Sequence, residues 1–122
     1  MKSLSTTTGG LLLGWLVGTA LAHTTVSVVT PADGAELDAP PAVIEIQFEH
    51  AVHLTSVVLL EPGTQGRHLE FSPHGSSEVF RVEHPDLARG RNEIRWKALS
   101  SDGHVISGTL TYVVRSTQSG VR

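Results

Sequence analysis

Periodicity is the feature that most constrains what this chain can fold into. Beyond residue 22 no stretch keeps a helical repeat over about 11 residues, whereas short runs alternate with a period of two. NEIRWKAL (92–99) puts Ile94, Trp96 and Ala98 on one face, and Glu93, Arg95 and Lys97 on the other. AVIEIQF (42–48) sets Ile44, Ile46 and Phe48 against Val43 in the same way. TVSVVT (25–30), TSVVLLE (55–61), a short run at 67–71, EVFRVEH (78–84) and VISGTLTYVV (105–114) supply further candidates. Gly, Pro and Asp clusters such as Pro31-Ala32-Asp33-Gly34 and Pro62-Gly63 separate them. About seven short strands in one small domain predict an all-β, immunoglobulin-like antiparallel β-sandwich. Trp96 then belongs to its core.

The first 22 residues are of another kind. A basic start at Lys2 leads into LLLGWLVGTAL, an uncharged run of 11 residues, and Ala20-Leu21-Ala22 supplies the small-x-small triplet that precedes the cut. That is the grammar of a secretory signal peptide. A membrane span needs about 20 apolar residues, so the run is too short to be an anchor. Residues 1–22 are therefore expected to be a cleaved signal, 23–115 one soluble, monomeric domain, and 116–122 a flexible tail.

Cleavage of 22 residues from 122 leaves 100, enough for one core. Loss of Lys2 takes the 9 basic residues to 8 against 12 acidic ones, a formal charge of −4. With no basic-aromatic patch, this excludes nucleic acid as a partner. Cysteine is absent, so the exported domain relies on its core rather than on disulfides, and thiolate metal sites are ruled out.

All 7 histidines fall after the cleavage point, and His23 stands directly behind it. A histidine at a free N-terminus offers its α-amine and ring Nδ1 to one ion. Asp102 and His104 flank Gly103 in the turn before the last strand, so both can reach one side of it. If the first strand runs antiparallel to the second and parallel to the last, His23, Glu49, His50, Asp102 and His104 share one end of the sandwich, with His53 in the next loop close by. Three nitrogens and a carboxylate oxygen favour Cu(II), with zinc as the alternative. Taken alone, Asp-Gly between alternating strands is just a hairpin turn. His68, His74 and His84 read as solvent-facing loop residues.

These residues together resemble the CopC family of periplasmic copper-binding proteins. The similarity runs from Ala22-His23 through TPADGAEL (30–37) and IEIQF (44–48) to WKALSSDGHVISGTLTYVV (96–114), which carries the family's W…S-x-DGH…SG pattern. The resemblance implies a β-sandwich that binds one Cu(II) ion through the amine and ring of His23, with Asp102 and His104. It further implies a non-enzymatic role in copper resistance or homeostasis, as a buffer or carrier beside a CopD-type inner-membrane copper permease.

The chain departs from the family pattern twice. Its only methionine is Met1, so no thioether Cu(I) site is expected. FEH at 48–50 stands where the family commonly has F-S-E; His50 can act as an added ligand, as a partner behind the ligands, or as an exposed loop residue, with Glu49 beside it. Two other function classes stay open at this point. One is a metal-free adhesion or partner-binding sandwich. The other is an N-terminal-histidine copper oxidase, disfavoured because Asp102 would fill a coordination position that oxygen needs.

Overall fold

The computed structural model describes residues 26–116 together with Ser3, Gly9 and Gly10. The rest of residues 1–25, His23 and most of the expected signal among them, and residues 117–122 of the expected tail lie outside the described residues. Among the described residues there are seven strands and no helix: β1 (Val26–Thr30), β2 (Glu36–Leu37), β3 (Val43–Leu60), β4 (Arg67–His68), β5 (Ser76–Glu83), β6 (Gly90–Ser100) and β7 (Val105–Val114). They are ordered β1-β3-β6-β7-β2, with β4 and β5 also pairing with β3. The all-β expectation holds.

Strand β3 differs from expectation. Residues 42–48 and 55–61 read as two strands with a loop between them, yet β3 runs 18 residues without interruption. Its first half pairs with β1 and β5, and its second half with β6 and β4. The reason is visible in the apolar phase. Ile44, Ile46, Phe48, Val52 and Leu54 are buried at even numbers, then Val57 and Leu59 at odd ones. A strict two-residue repeat cannot change parity, so one residue must be absorbed, and the register with β6 shifts between Leu54 and Ser56. The bend lets one strand serve both walls of the core. His53 accordingly lies in β3 and not in a loop.

The core meets at Phe48, which packs edge-on against Trp96 (ring centroids 5.1 Å apart) and Phe80 (5.9 Å). Trp96 is 5% exposed, with Ile94 and Ala98 buried beside it on the expected face. Burial of each such large apolar side chain contributes about 1.5–3 kcal/mol. Gly108 lies under the indole, where a Cβ would stand 2.5 Å from Trp96 Cζ2. The one buried polar side chain among the described residues, Asn92, bonds the backbone of Ala88 and Gly90 and so closes the β5–β6 connection.

The expected parallel pairing of the first strand with the last is made by β2, not by β1. Glu36 and Leu37 pair with Val113 and Val114. Upstream of them, Gly34 N–H donates to the Thr111 carbonyl (2.7 Å), and Asp33 Oδ1 accepts from Thr111 N–H (2.8 Å). Toward their other ends β1 and β7 separate, leaving a cleft of about 790 Å³ floored by Trp96 and walled by Val26–Val29 and Val105–Leu110. Asp33 and Gly34 hold the chain to β7 at one end only, while β1 is committed to β3.

Candidate metal centre

The β6–β7 hairpin builds the site. Leu99 and Val105 form its last pair, and Ser100 to His104 make the turn. Gly103 takes φ +90°, a left-handed backbone that side chains resist, and there its N–H donates to the Ser100 carbonyl (3.0 Å). Ser100 N–H donates in turn to the His104 carbonyl (2.8 Å). The turn thereby folds Asp102 and His104 toward each other.

Asp102 is held by three donors. Its Oδ1 accepts from the Ser100 hydroxyl and from the His104 backbone N–H (3.2 Å), and its Oδ2 lies 2.8 Å from His104 Nδ1. These bonds, the Ser100 hydroxyl first and the His104 ring next, hold its carboxyl well below the usual carboxylate range. An ionised carboxylate can only accept, so Nδ1 of His104 carries the hydrogen. A neutral His104 ring then keeps its lone pair on Nε2, the nitrogen free for a metal.

Strand register places the remaining candidates. Val26, the start of β1, sits opposite Phe48, and Ser100 sits opposite Val52. Glu49 and His50 lie in β3 between those two pairs, where the register with β5 shifts, and are exposed. The start of β1, residues 48–52 of β3 and the hairpin therefore share one end of the sheet, although the parallel partner the sequence reading relied on is β2. Among the described residues only Asp102 and His104 come together; no three histidine or acidic side chains converge on a point where they could hold a metal. Glu49 and His50 are near neighbours in topology but not part of a formed cluster. His23 lies outside the described residues.

The other histidines fall elsewhere. His53, His68 and His74 line a depression of about 430 Å³ with Glu70, and the His74 ring lies 5.7 Å from that of Phe71. His84 adopts φ +52° in the β5–β6 connection. Sequence reasoning overlooked Ser100 as a functional group, although it stands inside the S-x-D-G-H run; a hydroxyl two residues before a turn aspartate is the signal that was available.

A family model described as the CopC domain matches residues 26–115. The chain belongs to the CopC family. Among CopC-like relatives, the copper transport protein CutJ of Bacillus subtilis (strain 168) is 24% identical over 118 residues, covering 90% of this chain and 21% of that protein. The chain thus spans about a fifth of the length of that relative. CopC from Methylosinus trichosporium OB3b superposes with a TM-score of 0.65 at 20% identity, over 81% of this chain and all of that one. PcoC, a methionine-rich copper resistance protein from Escherichia coli, gives 0.56 at 21% identity, over 77% and 100% of the two chains. These likenesses establish the CopC β-sandwich fold. Of these relatives, CutJ is named a copper transport protein and PcoC a copper resistance protein.

Proposed function

We propose that this CopC-family chain is exported, cut after Ala22, and binds one Cu(II) ion as a periplasmic buffer or carrier in copper homeostasis or resistance. The donors are the α-amine and ring of His23, a ring nitrogen of His104 and a carboxylate oxygen of Asp102. The observation that supports this reading is that the hairpin turn sets Asp102 and His104 side by side at the same end of the sheet as the start of β1; for both to bind one ion, the bond between Asp102 Oδ2 and His104 Nδ1 must open. Val26 lies three positions after His23, a span of at most about 11 Å.

Names of relatives support copper as the cargo, and PcoC's methionine-rich character has no counterpart here beyond Met1. A thioether Cu(I) site is therefore no part of the proposal. The family resemblance, together with a relative named a copper transport protein, supports a CopD-type membrane transporter as the partner that receives or delivers copper. The mature chain works as a monomer. Protons compete with copper for amine and imidazole nitrogens, so affinity falls as pH drops through about 6 to 7.

The test uses the chain exported and processed by its host. Mass spectrometry should find His23 first, and titration against a competing chelator should show one tightly bound Cu(II). A chain that begins with one extra residue before His23 should keep its fold and lose affinity by orders of magnitude. No Cu(II) binding by the processed chain, or processing at another bond, overturns the reading.

A further inference from the structure

The first part of β7 has an open edge. In an antiparallel pair, one residue sends both its N–H and its C=O toward the neighbouring strand and the next sends both away. The odd-numbered residues of β7 point away from β6. The Thr111 carbonyl accepts from Gly34 N–H (2.7 Å), Thr111 N–H donates to Asp33 Oδ1 (2.8 Å), and Val113 N–H donates to the Ala35 carbonyl (3.1 Å). The register with β6 is unbroken from Val105 to Val114. Val105, Ser107 and Thr109 therefore present their backbone groups on that same outward side. Among the described residues, no strand or loop pairs with them there.

Open edges are ordinarily guarded by charge, proline, a bulge or a covering segment. From Val105 to Val114 there is no charged residue and no proline. The Asp33 turn and β2 cover only the far end of the strand. The open part instead borders the cleft toward β1, where Val28 and Val105 are 53% and 72% exposed and Trp96 forms the floor. Asp33 is the one charged residue in the lining. Its Oδ1 is engaged by Thr111, and its Oδ2 bonds no described residue. A row of donors and acceptors that repeats about every 6.8 Å matches the backbone of another extended chain.

We propose that the β7 edge and the adjoining cleft bind an extended segment of a partner protein as an added strand. The segment runs antiparallel to β7, the more stable sense of pairing. It is uncharged over about five residues, a common strand length, and sets small apolar side chains against Trp96 and Ile106. A basic residue at its N-terminal end meets Asp33, because β7 runs from Val105 toward the Asp33 turn. Backbone pairing supplies the affinity, and the cleft and Asp33 supply the choice of segment. This surface does not depend on the copper reading.

The probe is a capped peptide, Lys-Thr-Val-Ala-Val-Thr-Val, titrated into the isotope-labelled chain as its host processes it. Amide and indole N–H resonances and amide hydrogen exchange are followed by NMR. Shifts should centre on Val105, Ser107, Thr109 and the Trp96 indole, and exchange of those amides should slow. Two control peptides carry N-methyl groups on alternate residues, in the two possible phases. At least one should lose affinity by about 10-fold or more, since its donors no longer reach β7. Glutamate in place of the peptide lysine should weaken binding by about 2–5-fold. Asp33→Asn, which keeps the Oδ1 acceptor for Thr111, should erase that preference. No shift along the β7 edge at millimolar peptide would overturn the proposal. Both methylated controls binding like the parent would do so too, because only side chains would then be read. The same amides shifting with protein concentration alone, with dimers in sedimentation, would make a second copy the occupant and overturn the partner segment. Nuclear Overhauser contacts from residues 23–25 or 117–122 to Ser107 in the free chain would show the edge already covered, and would also overturn it.

Discussion

Substitution of Gly108 by alanine tests how β7 is held against the core. The new Cβ would stand 2.5 Å from Trp96 Cζ2, 2.6 Å from Cε2 and 2.7 Å from Nε1. Ordinary carbon contacts lie at about 3.5–4.0 Å, so the indole or the strand must move by about 1 Å. The indole has little room, because Phe48 abuts it with ring centroids 5.1 Å apart. Overpacking of this kind costs about 1–3 kcal/mol. Gly108 is not among the glycines with positive φ, so alanine fits the backbone and recovers about 0.4–1 kcal/mol through the unfolded chain. The balance is a loss of about 1–2 kcal/mol. In a domain of this size each kcal/mol moves Tm by about 4–8 °C. Thermal unfolding of Gly108→Ala should therefore fall by about 4–16 °C. Trp96→Phe removes the offending atoms, and in that background Gly108→Ala should cost at least about 0.5 kcal/mol less. An unchanged or raised Tm, or an equal loss in both backgrounds, would refute the packing argument.

Asp102→Asn removes a charged oxygen donor and should lower Cu(II) affinity by more than the loss of a merely orienting group costs, about 10–100-fold. With Oδ1 still accepting from Ser100 and the His104 N–H, the amide nitrogen faces Nδ1 and pushes the ring hydrogen onto Nε2; unchanged affinity in a chelator titration would contradict this. His104→Ala should weaken copper binding strongly and His74→Ala should not, since His74 sits by Phe71 away from the hairpin; equal losses would move the site. Tyr112→Phe removes the bond that the buried phenol donates to the Pro31 carbonyl (2.6 Å) and should cost about 1 kcal/mol in urea unfolding. Burial raises the Tyr112 phenol well above its ordinary value. Its stabilisation is thus present below about pH 10, where an unfolded tyrosine ionises, and is lost as pH rises beyond that. Tyr112→Phe should lack this alkaline decline, and an identical decline in both proteins would show that another group causes it.

Much of the fold was legible because strand faces alternate locally. Ile94, Trp96 and Ala98 announce their burial through their own neighbours, with no need of a partner strand. The joining of 42–48 and 55–61 into β3 was not legible. The parity change between Leu54 and Val57 looks like a break in the pattern, and only the partners β5 and β6 show that it is a bulge in one continuous strand. The same holds for β2, whose two residues carry no periodicity of their own. They count as a strand because Val113 and Val114 lie beside them.

The site divides along the same line. Sequence alone determined that Asp102 and His104 share a glycine turn, because two residues around Gly103 are close in any fold that keeps the hairpin. It also singled out His23 through the chemistry of a newly exposed amine. Tertiary structure decided that the start of β1 and this hairpin meet at one end of the sheet, since their proximity runs through β3, whose bend sets Phe48 beside Val26 and Val52 beside Ser100. It decided as well that Ser100 grips Asp102. Hydroxyl and carboxylate direction depend on backbone angles within the turn, and those angles follow from hydrogen bonds that residue identities do not reveal.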